Sequence, residues 1–233
     1  MIGIIGAMKE EISSFVAVMK ETKRELHANI EFHVGNILGK EVVVVQCGIG
    51  KVNAALTTQL LIDFYRPSEL LFTGLAGSGK AEVKIGDFVL ATTLVQHDFD
   101  LRHFGRETGF IPNVGKFFKS DEALNNQIVK AFVNLKEKNP TVGNLHSGII
   151  ASGDSFIAEK EKIGRIVSEF DAAAVEMEGA AFAQVCFINR VPFSVLRLIS
   201  DNADEQATVD FPAILKKASK VEIEILKELL VLE

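Results

Sequence analysis

Residues Ala172–Asp201, AAAVEMEGAAFAQVCFINRVPFSVLRLISD, decide the fold. Ala172–Val175 is a short apolar run of strand length. Gly179–Asn189 is a mostly apolar segment of helix length, and Phe193–Ser200 is a second strand-like run. Strand, helix, strand in so short a span is the crossover that joins parallel neighbours in one sheet. The same alternation extends upstream. Ile2–Ile5 is a strand ending at Gly6, and Ile12, Phe15, Val16 and Met19 recur at helical spacing behind acidic Glu10 and Glu11. Val52–Tyr65 reads as a helix stopping before Pro67, and Leu70–Thr73 as a strand running into GLAGSG, Gly74–Gly79. Gly86–Val95 is strand-like, and a polar-aromatic loop follows from Gln96 to Lys119. Ser120 stands where it caps a helix through Ala123, Ile128, Phe132 and Leu135; His146–Ala151 is a strand and Ala158–Phe170 a helix. Downstream, Asp210 and Pro212 open a last helix whose apolar face holds Ile214, Ala218, Val221, Ile225, Leu229 and Leu232. Phe32–Leu38 and Glu41–Gln46 flank Gly39-Lys40, where a leading glycine suits a type II′ hairpin turn. The pattern predicts one α/β domain over residues 1–233: a central sheet, largely parallel, made mixed by the hairpin and flanked by helices.

Composition narrows the function. A chain of 233 residues fits one compact domain. With 48% hydrophobic and 24% charged residues it is no disordered segment. Lys+Arg 25 against Asp+Glu 31 leaves a net charge of −6, which disfavours a binder of nucleic-acid phosphates. No stretch approaches the ~20 apolar residues a membrane span needs, and MIGIIGAM is too short and lacks the basic leader of a signal peptide. Cys47 and Cys186, far apart in apolar surroundings, read as reduced core thiols of a cytoplasmic protein. His27, His33, His97, His103 and His146 show no ligand spacing, so no metal is expected. GLAGSG is spaced G-x-x-G-x-G, unlike the dinucleotide fingerprint, so no nicotinamide cofactor is expected either.

In open α/β sheets ligands bind beyond the carboxyl ends of the strands. Those ends carry Gly6–Glu11, Cys47–Val52, Gly74–Gly79, Ser152–Ile157, Glu176–Glu178 and Ser200-Asp201. Glu11 is either a first-turn acid favoured by the helix dipole or a general base near a water; Glu10 stands beside it, and the two cannot both face the cleft, so one is a surface charge. Glu176 and Glu178 lie in one of the most apolar stretches of the chain. They cap the following helix or accept hydrogen bonds from ligand hydroxyls. Asp201 follows VLRLIS as a turn residue or an acid, and Arg197 inside that strand demands an anionic partner.

Taken together, GAMKEE (Gly6–Glu11), GIGKVNAA (Gly48–Ala55), TGLAGS (Thr73–Ser78), SGDSFI (Ser152–Ile157), AVEMEGAA (Ala174–Ala181) and RLISDNAD (Arg197–Asp204) resemble the 5′-methylthioadenosine/S-adenosylhomocysteine nucleosidases of the purine nucleoside phosphorylase superfamily. The resemblance runs from residue 2 to the last helix. It implies a nucleoside phosphorylase-like fold, no cofactor and a homodimer. Glu11 matches the glutamate that activates water, Arg197 the arginine that helps hold that water, and Asp201 the acid that protonates N7 of adenine. Met177 and Glu178 match the ribose-holding pair, Phe156 the ring that stacks on the base, and Ile157 the residue whose backbone reads the adenine edge. Ile49 and Phe211 match the wall of the 5′-alkylthio pocket; Leu101, Phe104 and Pro112 match positions that border it, some contributed by a partner subunit. Leu75 departs from a serine frequent in the family, which removes a hydroxyl contact near sugar and water. Gln96–Pro112 also resembles members that accept 6-amino-6-deoxyfutalosine.

The implied reaction is hydrolysis of an N-glycosidic bond, with Asp201 as acid, Glu11 as base and Glu178 on the ribose hydroxyls. Two rivals are weighed. A phosphorylase of the same fold needs cations or amides for a phosphate dianion, whereas these strand ends offer acids against little more than Arg197 and Lys51. A non-catalytic nucleoside-binding protein needs the purine and ribose contacts but not both Glu11 and Asp201, whose joint presence counts against it.

Overall fold

The computed structural model describes residues 1–201 and 211–232, with part of the side chains in the last helix. Strands and helices alternate: β1 (Ile2–Gly6), α1 (Lys9–Val18), β2 (Lys20–His27), β3 (Ile30–Ile37), β4 (Lys40–Gln46), α2 (Lys51–Tyr65), β5 (Glu69–Ser78) and β6 (Phe88–Gln96). After the short β7 (Phe118–Lys119) come α3 (Glu122–Lys138), β8 (Leu145–Ser152), α4 (Lys160–Phe170), β9 (Ala172–Glu176), α5 (Gly179–Asn189), β10 (Phe193–Asp201) and α6 (Phe211–Leu232).

All strands belong to one sheet in the order β10-β6-β8-β9-β5-β1-β4-β3-β2, and β7 pairs with β6. Because β10 also pairs with β5, the strands β5, β10, β6, β8 and β9 close into a ring, from which β1, β4, β3 and β2 extend. Pairings β1–β4, β1–β5, β5–β10, β6–β8 and β8–β9 are parallel, and β10–β6, β5–β9 and the hairpin pairs are antiparallel. The mixed α/β architecture read from the sequence is the one observed. Apolar strands such as β10, buried along its whole length, fit a sheet covered on both faces. One core layer centres on Phe72, Phe182 and Val195. The other packs Phe15, Phe132 and Leu229 from α1, α3 and α6. Cys47 and Cys186 are buried free thiols.

The structure corrects four local expectations. Leu38 and Gly39 form the hairpin loop with φ +52° and +83°, so the turn is type I′, which requires positive φ at both positions. Asp121, not Ser120, caps α3, its carboxylate accepting from Leu124 N at 2.8 Å. GLAGSG is largely not a loop: β5 continues through Ser78 and pairs with β9 at Gly77 and Ser78. The edge strand β2, KETKRELH, was unexpected because it lacks apolar alternation. Asp210 lies outside the described residues.

Candidate active site

The parallel register of β1, β5 and β10 sets their carboxyl ends on one side, the carboxyl end of β9 meets that of β5 through the antiparallel pairing at Gly77 and Ser78, and a cleft enclosing about 140 Å³ opens there. Its walls hold Glu11, Glu178 and Asp201, with Ile49, Phe156, Ile157 and Met177 around them. Seven sequence-derived candidates therefore share one cleft. Phe156 is 70% exposed and Ile49 55%, so both stand at its mouth.

Glu11 is the third residue of α1 and reaches back over the helix start. Its Oε2 accepts from Ala7 N at 2.6 Å and Met8 N at 2.9 Å, and its Oε1 from Leu75 N at 3.2 Å. By accepting from them the carboxylate satisfies amides at the start of α1 and ties α1 to β5. Glu10 is exposed, as the pairing of the two acids required. Burial raises the Glu11 pKa; Arg197 and the three amides oppose that without cancelling it. Leu75 thus contacts Glu11 through its amide, which any residue supplies, while its side chain lines the cleft.

The two glutamates after β9 divide their work. Glu176 is committed: it accepts from Glu178 N at 3.2 Å, from Gly179 N at 2.8 Å, from the Ser152 hydroxyl and from Arg197 Nη2. Capping the start of α5 was one of its two sequence readings. Glu178 accepts from Gly50 N at 2.8 Å and lies 3.7 Å from Arg197 Nη2. Burial, reinforced by the Glu176 charge, pushes its pKa up to about 7. Asp201 ends β10, is 8% exposed and accepts from Ser200 Oγ at 2.7 Å.

Arg197 has no exposed surface and does not line the cleft. Its Nη1 donates to Thr73 O at 3.0 Å, its Nη2 pairs with Glu176, and its guanidinium carbon sits 4.5 Å from the Phe72 ring centroid. Burial works against its charge, but Glu176, Glu178 and Glu11 outweigh that and hold its pKa above the usual value. In this structure it gathers the carboxylates, bonded to Glu176 and close to Glu178. Gly74 pairs with Arg197 across β5–β10 at φ +149°; a Cβ there would stand 2.4 Å from Arg197 Nη1 and 2.6 Å from Glu11 Oε1. Only glycine lets the two side chains meet at this point.

Three loops around the cleft are latched together. Lys51 Nζ donates to Asp98 Oδ1 at 2.6 Å and Gln96 Oε1 at 3.1 Å; Asp98 Oδ2 accepts from Asp154 N at 2.9 Å, and Asp154 Oδ1 from Lys51 N at 2.8 Å. Leu101, Phe104 and Pro112 stand apart from this chain's own cleft, and Phe104 is 80% exposed. Phe211 opens α6, and its side chain lies outside the described residues, as do Asn202–Asp204 of the RLISDNAD run. Sequence reasoning reached Met8, Ser155, Ala76 and Gly77 on the wall only as members of its strand-end segments and gave none of them a role, since backbone and small side chains leave no composition signal. It missed Glu222, on α6, which accepts from Gly74 N at 3.1 Å. A signal was present: Glu222 stands between Ala218 and Ile225 at helical spacing, inside the apolar face.

Comparison with known proteins agrees with this geometry. The family described as the phosphorylase superfamily matches residues 1–231. A 5′-methylthioadenosine/S-adenosylhomocysteine nucleosidase from an Exiguobacterium species is 42% identical over 219 residues, 94% of this chain and 92% of its own. An aminodeoxyfutalosine nucleosidase from Helicobacter pylori is 43% identical over 230 residues, 98% of this chain and 96% of its own. A solved structure of a variant Helicobacter pylori nucleosidase, with 5′-methylthioadenosine in its active site, superposes with a TM-score of 0.91 at 39% identity, covering 100% of this chain and 98% of that one. The chain belongs to the phosphorylase superfamily and, within it, to the group that holds these nucleosidases.

Proposed function

We propose that the protein hydrolyses the N-glycosidic bond of 5′-methylthioadenosine and S-adenosylhomocysteine, releasing adenine and the 5-thioribose product, and that it also accepts 6-amino-6-deoxyfutalosine. The observation that carries this reading is the convergence of Glu11, Glu178 and Asp201 on one cleft. Breaking a glycosidic bond through an oxocarbenium-like state calls for an acid at the leaving group and a base at the water. Asp201 gives its proton to N7 as the C1′–N9 bond breaks and its electron pair passes to the purine. Water adds to C1′ and loses a proton to Glu11. Glu178 accepts from the ribose hydroxyls beside Met177, Phe156 stacks on the base, and the Ile157 backbone reads the adenine edge. Ile49 and Phe211 wall the alkylthio group. Arg197 keeps the carboxylates in place.

Water is favoured over phosphate by charge. Among the described residues no basic side chain lines the cleft; Arg197 is committed to Glu176 and Lys51 to Asp98. Phosphate would meet an acidic wall. The names of the relatives support the substrate class. The test is adenine release from the three nucleosides, with inosine alongside, with and without phosphate. Adenine from all three without phosphate is expected. Strict phosphate dependence, or tight binding of methylthioadenosine with no product, would overturn the proposal.

The Glu178 role carries a pH signature. Its carboxylate grips hydroxyls in its ionised form, which prevails above about 7 and is lost as the pH falls through that value. The KM for methylthioadenosine is therefore expected to rise as the pH drops below about 7. A KM flat across that range assigns the ribose grip elsewhere.

A homodimer is part of the proposal. Val52 and Leu56 on α2 and Phe187 and Ile188 on α5 expose apolar side chains on helices that pack together, and Phe104 is exposed on the long loop. In a dimer Leu101, Phe104 and Pro112 border the partner's alkylthio pocket. Sedimentation of the active enzyme tests this; a fully active monomer would refute the shared site.

A further inference from the structure

Glu222 lies on α6, behind the catalytic cleft and not part of its wall. It is 2% exposed. Its Oε1 accepts from Gly74 N at 3.1 Å, while the next amide of β5, Leu75 N, donates to Glu11 Oε1 at 3.2 Å. Two carboxyls thus hold two consecutive amides of one strand segment, and Arg197 Nη1 holds the carbonyl of Thr73 immediately before them. Glu222 also lines a cavity of about 20 Å³ with Phe15, Thr73, Leu196 and Ile225, and among the described residues its Oε2 has no hydrogen-bond partner. Nothing in the proposed reaction requires a fourth glutamate here, and an isolated buried carboxylate is costly unless it is paired.

We infer that Glu222 is a positioning residue for Glu11, acting through the Gly74–Leu75 backbone: it fixes the strand segment whose next amide aims and holds the Glu11 carboxylate. It does so as a neutral acid. The charged groups bearing on it are Glu11 from α1 and Arg197 from β10; β5 offers Thr73 and α3 offers Ile128, neither charged. Burial, then the Glu11 charge, raises its pKa well above the usual value, and Gly74 N and Arg197 only partly oppose this. A neutral carboxyl accepts from Gly74 without adding a further negative charge to a site whose one buried guanidinium already serves Glu176 and Glu178.

The inference rests on the reading of Glu11 as the water-activating base, and adenine release by the unaltered protein checks that reading separately. The experiment compares Glu222→Leu and Glu222→Gln with the wild type on methylthioadenosine. Leucine frees the Gly74 amide and loosens the Leu75 donor, so the Glu11 anion loses a hydrogen bond that favours its charged form. The expected results are a kcat lower by about 10-fold or more, a KM within about twofold, and an acid limb of kcat/KM moved to higher pH. Lost stability alone moves melting temperature and leaves that limb in place. Glutamine keeps the acceptor and the neutral charge, so it restores both kcat and limb. Wild-type kcat with an unmoved limb in Glu222→Leu, or a Glu222→Gln enzyme that behaves like the leucine variant, overturns the inference. Should the leucine protein not fold, infrared difference spectra between wild type and Glu222→Gln decide. A protonated-carboxyl band present only in the wild type near neutral pH supports it, and absence of that band overturns it.

Discussion

Asp201→Asn is expected to keep the fold and nucleoside binding and to lower adenine release at least about 100-fold. The expectation follows from how β10 ends. Its register against β5 shifts between Ile199 and Asp201, and such an irregularity re-aims side chains at a strand end. Asp201 is thereby placed on the cleft wall, with the Ser200 hydroxyl on its Oδ2. Asparagine has the same shape and still accepts from Ser200 through its carbonyl, so the strand end and the pocket persist. What it lacks is a transferable proton for the departing purine. Adenine release measured beside calorimetric binding of methylthioadenosine separates the two effects. Near-normal turnover rejects Asp201 as the acid.

Arg197→Met is expected to be the most damaging single change to stability. The guanidinium is wholly buried, bonded to Thr73 O and Glu176 and close to Glu178. Methionine fills part of the volume but leaves the buried carboxylates without their counter-charge. Removing one partner of a buried ion pair costs about 3–5 kcal/mol, roughly a 6–20 °C fall in melting temperature for a chain of this size. The loss is predicted to shrink as the pH falls, because protonating a stranded carboxylate relieves the unpaired charge, and Glu178 is already pushed up to about 7 with Arg197 in place. Thermal unfolding as a function of pH reads both effects. A melting temperature within a degree or two of wild type would show that the carboxylates do not depend on Arg197.

Much of the fold was legible because its signals are local. Val52–Tyr65 ends before Pro67 in sequence, and α2 ends at Tyr65. The bounds of α5 coincide with those read from the apolar run. The cleft was legible through a topological rule, which places ligand groups beyond strand ends whatever the details of packing. What stayed hidden depends on contacts distant in sequence. Strand β2 is held by pairing with β3 and not by an apolar stripe of its own. The division of labour between Glu176 and Glu178 is set by Ser152, Gly50 and Arg197, each from another element. Glu222 shows its role only where α6 crosses β5 at Gly74. The cap at Asp121 was missed because Ser120 and Asp121 are both good capping residues and only backbone geometry chooses between them.

The charged strand β2 has a consequence for the life of the protein at high concentration. One end of the sheet has no free edge, since β5, β10, β6, β8 and β9 close on themselves; the other end stops at Lys20–His27. An open edge offers unpaired amides and carbonyls to any passing strand, and Lys, Arg and Glu there repel or misfit a would-be partner. The charges that hide β2 from a hydrophobicity pattern are the ones that keep the sheet from growing by recruiting another molecule.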